Sequence, residues 1–340
     1  MIIKFWRTGC ADATTISFMD DDGQHKNLFI DGGYLGTYRH TIKKELLRLQ
    51  DMGEVVDLWI ITHTDRDHIG GVEGFIRDRN FRGKEALVNE YWFNWSSYYF
   101  MPGGKNISTA QGIHLRDYLN DTGKLCLGDV ITGMPATQFN GLTLTVLSPD
   151  TERLEKSKLA WQAEEREILI SSERSDHEKT IQTLAAEPFI QDNDPFNGGS
   201  IAFLLEENGR RILLLADSFP SVVQQSLEQL GYSADNRLKV DYIKLSHHGS
   251  RRNFDPRLLD IVDCNRFIIL ANGSTHQLPD KWTLAKILMH PLRSWESIQF
   301  YFNDDNKILR GIFDADNNRE AFNFECFYSN YPFLTIQFGQ

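Results

Sequence analysis

The same order of elements, strand-turn-strand-helix-strand, occurs twice in this chain, and that repetition constrains its fold more than any other feature. The first copy opens with Thr15-Ile16-Ser17-Phe18, turns around Asp21-Asp22-Gly23, and continues as Leu28-Phe29-Ile30-Asp31. The second opens with Ser200-Ile201-Ala202-Phe203-Leu204-Leu205, turns at Glu207-Asn208-Gly209, and continues as Ile212-Leu213-Leu214-Leu215-Ala216-Asp217. Each reads as a β-hairpin whose second strand ends in Asp. An amphipathic helix follows each hairpin, about Thr41 to Met52 with a stop at Gly53, and about Ser221 to Leu230 with a stop at Gly231. Then come two strands with one opening: Val56-Asp57-Leu58-Trp59-Ile60-Ile61-Thr62-His63 and Val240-Asp241-Tyr242-Ile243-Lys244-Leu245-Ser246-His247.

Two related β-rich halves account for this echo. The expected class is α/β (α+β): two sheets packed face to face with helices outside, in one unit over residues 1–340. Residues 81–195 read as a variable insert between the halves. Within it, Tyr91-Trp92-Phe93-Asn94-Trp95-Ser96-Ser97-Tyr98-Tyr99-Phe100 suits core packing better than a pocket. The charged stretch 151–195 reads as a solvated helical excursion or lid. Residues 296–340 alternate apolar and polar and read as added strands.

The chemistry concentrates in Thr62-His63-Thr64-Asp65-Arg66-Asp67-His68-Ile69-Gly70-Gly71, directly behind the apolar strand. Two His and two Asp within six positions supply four metal-ligand groups, enough for one closed site or half of an open two-metal site. His63 and Asp65 share a side in an extended chain, and a turn is needed to bring Asp67 and His68 to the same point. Gly70 and Gly71 are expected to make that turn and start the next helix. The repeat implies that the second half completes the site. If His63 reaches the seam from one side, His247 should reach it from the other, which favours His247 over His248; Asp31 and Asp217 occupy matching strand ends.

Composition bounds the rest. With 41% hydrophobic residues in 340, the chain can bury a sizeable core. A net charge of −11 opposes non-specific binding to nucleic acid unless a local basic patch or a partner protein intervenes. Cys10, Cys126, Cys264 and Cys326 lie far apart and read as reduced thiols. There is no signal-peptide pattern and no apolar run near the ~20 residues of a membrane span, so a soluble, cytoplasmic protein with no membrane contact is expected.

These residues together resemble the metallo-β-lactamase superfamily of two-metal hydrolases. The resemblance implies a four-layer αββα sandwich of two pseudo-symmetric halves. It carries the metal motif onto His63, Asp65, Asp67, His68, Asp217 and His247, with Asp31 orienting a ligand from behind. The details resemble the hydrolase domain of ComEC-type DNA-uptake proteins and their soluble relatives: Asp65 where most members have His, Lys244-Leu245-Ser246-His247-His248-Gly249-Ser250, and Asn197-Gly198-Gly199-Ser200 where other members supply a metal-binding His. His276 stands where this branch carries a further His, outside the usual His-Pro context.

The resemblance implies two divalent ions, Zn²⁺ or Mn²⁺, with His63, Asp65 and Asp217 on one and Asp67, His68, His247 and Asp217 on the other. Asp217 bridges, and Asp67 belongs to the catalytic core. A shared hydroxide would attack the substrate, so no nucleophilic side chain is required. A phosphodiester substrate, nucleic acid or nucleotide, suits such a site. Arg251, Arg252 and Asn197 are the candidate substrate contacts, although the two arginines equally suit a solvated loop. His248 or His276 could protonate the leaving oxygen, and each also suits a packing role. The alternatives are hydrolysis of a small ester, lactone or phosphoester, and a non-catalytic metal-bearing partner subunit.

Overall fold

Every residue of Val56–Ile61 is buried, yet successive side chains enter different cores. Leu58 and Ile60 join one apolar cluster, and Trp59 and Ile61 another. This is the alternation of a strand covered on both faces. The second copy of the repeat splits the same way: Ile212 and Leu214 join the first of these clusters, Leu213 and Leu215 a third. The shared cluster is the layer between two sheets. The other two lie where each sheet meets its outer helices, which makes the four-layer αββα sandwich expected from the sequence.

The computed structural model describes residues 1–97, 107–139, 141–161, 175–293 and 297–338. Its strands, in chain order, are β1 (Ile2–Trp6), β2 (Ala13–Met19), β3 (His25–Asp31), β4 (Val56–Ile61), β5 (Val88–Phe93), β6 (Thr137–Phe139), β7 (Leu142–Ser148), β8 (Ala202–Glu207), β9 (Arg210–Leu214), β10 (Leu238–Lys239), β11 (Tyr242–Lys244), β12 (Val262–Asp263), β13 (Arg266–Ile269), β14 (Ile298–Phe302), β15 (Phe324–Tyr328) and β16 (Phe333–Gln337). They form a 6-stranded sheet in the order β16-β1-β2-β3-β4-β5, an 8-stranded sheet in the order β15-β14-β13-β11-β9-β8-β7-β6, and the pair β10-β12. Residues 81–195 thus supply β5 to one sheet and β6 and β7 to the other. The tail supplies β14 and β15 to the second sheet and β16 to the first.

The echo is structural. β2 and β3 are antiparallel and β3 and β4 parallel; β8 and β9 are antiparallel and β9 and β11 parallel. The parallel connections run through the helices Ile42–Met52 and Pro220–Gln229, and the first ends on Gly53 in the left-handed conformation (φ 70°). The Val-Asp opening has one function in both halves. Asp57 Oδ2 accepts the backbone N–H of Asn27 on β3 at 2.8 Å, and Asp241 Oδ2 accepts that of Arg211 on β9 at 2.9 Å.

Two expectations need correction. β9 ends at Leu214, so Asp217 lies beyond the strand, whereas Asp31 is the last residue of β3. The pairs Ile30↔Ile60 and Leu214↔Lys244 put His63 and His247 at equivalent positions but align Asp217 with Gly33. Asp31 is therefore buried behind the loop, while Asp217 projects past it. The second correction concerns Gly70 and Gly71, which lie inside the helix Arg66–Arg77 rather than at its turn. They are needed because this helix lies directly on the loop after β3. Gly71 N–H donates to Gly33 O at 2.8 Å, and a Cβ at Gly71 would fall 2.0 Å from Gly32 O.

Tyr91, Trp92 and Phe93 alternate between the outer and inner cores, while Tyr98, Tyr99 and Phe100 lie outside the described residues. Of the stretch 151–195, the helices Thr151–Ala160 and Ile181–Ala186 are described, and residues 162–174 are not. All four cysteines are free thiols. No helix among the described residues is long and apolar enough to cross a membrane.

Gly71→Ala is expected to cost at least about 3 kcal/mol, because the new methyl meets backbone that cannot move aside. Gly36→Ala, with nothing within 4 Å, should stay within about 0.5 kcal/mol of the parent. Denaturant unfolding of the two variants reads the difference.

Candidate metal centre

The loops that follow β4, β9 and β11 meet at one edge of the seam between the sheets. Four imidazoles converge there, and each is anchored from behind through Nδ1. His63 Nδ1 lies 3.1 Å from Thr62 Oγ1, and His68 Nδ1 lies 2.8 Å from Asp31 Oδ2. His247 Nδ1 lies 2.9 Å from Asn253 Oδ1, and His248 Nδ1 lies 2.8 Å from Leu270 O. Carboxylate, amide and carbonyl oxygens only accept here. The Thr62 hydroxyl donates to Asp31 Oδ2 at 2.8 Å, which leaves it an acceptor toward His63. The anchors therefore place the protons on Nδ1 and turn four Nε2 lone pairs inward.

Those lone pairs face carboxylates. Asp217 divides its two oxygens: Oδ2 is 3.8 Å from His63 Nε2 and 3.6 Å from His247 Nε2, while Oδ1 is 3.4 Å from His68 Nε2. Asp65 Oδ2 lies 3.7 Å from His63 Nε2. Asp67 Oδ2 lies 3.7 Å from His68 Nε2 and 3.0 Å from His248 Nε2. A lone pair against an anion is repulsive unless a positive charge stands between them. His63 Nε2, His68 Nε2 and Asp217 Oδ1 are buried without a hydrogen-bond partner. Two donors each roughly 2.1 Å from one ion lie at most about 4.2 Å apart, so these separations suit shared cations.

The residues fit two ions better than the division the sequence implied. One set is His63, His247, Asp65 and Asp217 Oδ2. The other is His68, His248, Asp67 and Asp217 Oδ1, a group whose ligand atoms all fall within 4.8 Å of one another. His247 Nε2 faces Asp217 and His248 Nε2 faces Asp67, so the tandem pair is directed at two different carboxylates. Backbone conformation is the reason: both residues have positive φ (46° and 57°), and their rings stand 69° apart.

Burial opposes ionisation of Asp67, His68, Asp217 and His247, and the neighbours override it. Asp217, Asp31 and Asp67 hold His68 well above the ordinary imidazole range. Asp217, Asp192 and Asp67 raise His247. In turn His247, His68 and His63 hold Asp217 well below the ordinary carboxylate range, and His68 and His248 lower Asp67.

The other expected residues are distributed as follows. Asp31 is completely buried and also accepts the Thr62 backbone N–H at 2.9 Å, so it fixes both the motif loop and His68. Asn197 is buried; its Nδ2 donates to Asp192 Oδ2 at 2.7 Å and stands 3.5 Å from His247 Nδ1. Arg251 is directed elsewhere, with its guanidinium 2.7 Å from Glu187 and over the Trp282 ring at 5.3 Å. Arg252 is half-buried beside Asn253, with no acidic partner among the described residues. His276 sits in the exposed turn Thr275–Gln277. Sequence reasoning missed Asn253 and Asp192, which hold His247, and the buried pair Asp12–Lys244 beneath the cluster. Asn253 had a signal, its place four residues after the His-His-Gly segment; Asp12 had none.

No protein-family model matches the sequence, and no curated protein matches it. Among solved structures, the chain is similar to CmlA, a diiron β-hydroxylase from Streptomyces venezuelae, with 12% identity, a TM-score of 0.42, and coverage of 99% of this chain and 54% of that one. It is also similar to a motif mutant of a metallo-β-lactamase from Cronobacter sakazakii, with 11% identity, a TM-score of 0.30, and coverage of 68% and 70%. The chain thus spans about half the length of CmlA. Likenesses this distant carry no weight for the chemistry, which rests on the geometry above.

The His-His-Gly loop is held by Asp280, whose Oδ2 accepts the Arg251 backbone N–H at 2.8 Å. Burial, reinforced by Asp176, pushes the Asp280 carboxyl up to about 6. In the unfolded chain it titrates near its ordinary value, so the folded state binds more protons between about pH 4 and 6. The contribution of Asp280 to stability is then greatest below that window and is lost as pH rises through it, by about 2–3 kcal/mol. Asp280→Asn keeps the acceptor and should flatten this slope in denaturant titrations from pH 4 to 7.

Proposed function

We propose that this chain is a two-metal hydrolase acting on phosphodiesters of a nucleic acid or nucleotide. One observation carries the metal assignment: four imidazoles anchored through Nδ1 turn Nε2 inward, three of them toward the two oxygens of Asp217 and the fourth toward Asp67. In this reading His63, Asp65, His247 and Asp217 hold one ion, and Asp67, His68, His248 and Asp217 the other. Bound divalent cations such as Zn²⁺ or Mn²⁺ supply Lewis acidity and a lowered pKa for water.

The protein's own groups do the rest. Asp31 and Thr62 fix the first-half imidazoles, Asn253 and Leu270 O the second-half pair, so the ligand set is organised before substrate arrives. Arg252, with no acidic partner among the described residues, is the candidate contact for a non-bridging phosphate oxygen; Arg251, engaged with Glu187, is not used. His248 is spent as a ligand, which leaves His276 to protonate the leaving oxygen. Asn197 contributes to the site by sharing Asp192 with Asn253. The resemblance of the His-His-Gly-Ser segment to ComEC-type hydrolase domains supports a nucleic-acid or nucleotide substrate. The net charge of −11 favours a small substrate, or delivery by a partner protein, over tight duplex binding. The inward-facing, partnerless ligand atoms count against a non-catalytic subunit with a decayed site.

Elemental analysis should find two divalent ions per chain, and Asp217→Asn should lose both. Turnover should be measured with Mn²⁺, Zn²⁺ and Fe²⁺ on bis-p-nitrophenyl phosphate, single-stranded DNA, duplex DNA and RNA. Activity on carboxylic esters with no phosphodiester turnover under any metal would overturn the substrate assignment. Arg252→Ala should raise KM about tenfold while kcat changes less than about threefold, the pattern of lost ground-state binding.

A further inference from the structure

Beneath the two ligand sets the halves touch through one buried ion pair, Lys244 Nζ with Asp12 Oδ2. The lysine side chain is 4% exposed and the aspartate 7%. Asp12 belongs to the first half, on the loop between β1 and β2, and Lys244 ends β11 of the second. Burying two charges between sheets costs free energy that apolar residues would not, so stability alone does not explain the pair.

Its contacts point to another role. The Asp12 backbone N–H donates to Asp67 O at 3.1 Å, and Asp12 O accepts from Gly33 N at 2.8 Å. Asp12 Oδ1 lies 3.4 Å from His248 Nδ1 and has no hydrogen-bond partner. Lys244 Nζ also donates to Ala216 O at 3.4 Å, the carbonyl next to Asp217. A single interaction thus reaches the backbone of Asp67, the ring of His248 and the turn that projects Asp217. Beside it is a small pocket lined by Asp12, Asp31, Thr62 and Lys244 and by apolar side chains of both halves.

We infer that Asp12 and Lys244 are a positioning pair that sets the register between the two halves and thereby completes the Asp67–His68–His248 ligand set. The inference rests on the two-ion reading above. Asp67 and His68 come from one half and His248 from the other, so their convergence depends on that register. The set built on His63 and His247 also spans the halves, but the pair reaches it only through Ala216 and the shared Asp217, so it should be disturbed less.

The test compares the wild type with Asp12→Asn/Lys244→Met. The double variant leaves no unpaired buried charge, whereas either single variant could fail to fold for that reason alone. Lys244→Arg keeps the charge and should keep most of the function. Each metal-free protein is titrated with Mn²⁺, followed by calorimetry, elemental analysis and electron paramagnetic resonance, with circular dichroism reporting the fold. The wild type should hold two ions with a spin-coupled signal. The double variant should keep its secondary structure, bind one ion normally and the second at least about tenfold more weakly, and show an isolated-ion signal. Two ions at unchanged affinity in the double variant, with two in the wild type, would overturn the role of the pair alone. Fewer than two ions in the wild type would overturn the two-ion reading and the pair's role with it.

Discussion

The site depends on the Asp217 carboxylate standing where two ligand sets meet. It is 1% exposed, beyond the end of its strand, and each of its oxygens faces imidazole nitrogen. A carboxylate so placed is tolerable only if positive charge surrounds it. Among the described residues no lysine or arginine forms an ion pair with it. Lys244, the buried ammonium nearby, is engaged with Asp12. What faces Asp217 are imidazoles whose remaining ring nitrogens are already committed, so the charge must come from bound cations or from protons those cations displace.

The fold makes this arrangement possible by bringing together the ends of parallel strands from two sheets. In each half a helix crossover returns the chain to a strand parallel to the hairpin's second strand, so both loops open at the same edge. Apolar layers on either side of each sheet hold the strands, and Asp57 and Asp241 pin the far ends of the crossovers equivalently. The helix Arg66–Arg77 must then lie against the loop after β3, which only Gly70 and Gly71 allow. This contact brings Asp67 and His68 within reach of groups from the other sheet.

Much of this was readable beforehand because it is carried by periodicity and repetition. The alternation in Leu58-Trp59-Ile60-Ile61 and in Ile212-Leu213-Leu214-Leu215 announces strands covered on both faces. The shared Val-Asp opening announces two halves in matching register. The parts that escaped depend on local backbone conformation or on contacts distant in sequence. Nothing in the string His247-His248 shows that consecutive positive φ values send the two rings to different ligand sets. The Asp31–Asp217 correspondence failed by two residues because the turn after β9 is longer than spacing could show. Asp12 lies 232 positions from Lys244 and carries no motif, so only the fold brings them together.

The backbone conformations of the ligand loops bear on how firmly this arrangement is specified. Asp31, Ala216, His247 and His248 all adopt positive φ (55°, 44°, 46° and 57°). Side-chain-bearing residues in that region cost on the order of 1 kcal/mol or more each, and such strain persists only where the surroundings over-determine it. Each of these residues is a proposed ligand, lies next to one, or orients one. Glycine would relieve the strain at any of them but would remove the ligand or anchor at Asp31, His247 and His248. At Ala216 it would loosen the turn that aims Asp217. These four strained positions lie on the same loops as the Nδ1 anchors, and both fix the direction of Nε2 and carboxylate oxygens before a cation binds. That agreement, between backbone strain and hydrogen bonding from independent elements, argues that the site is built for binding and is not an incidental gathering of polar groups at a sheet edge.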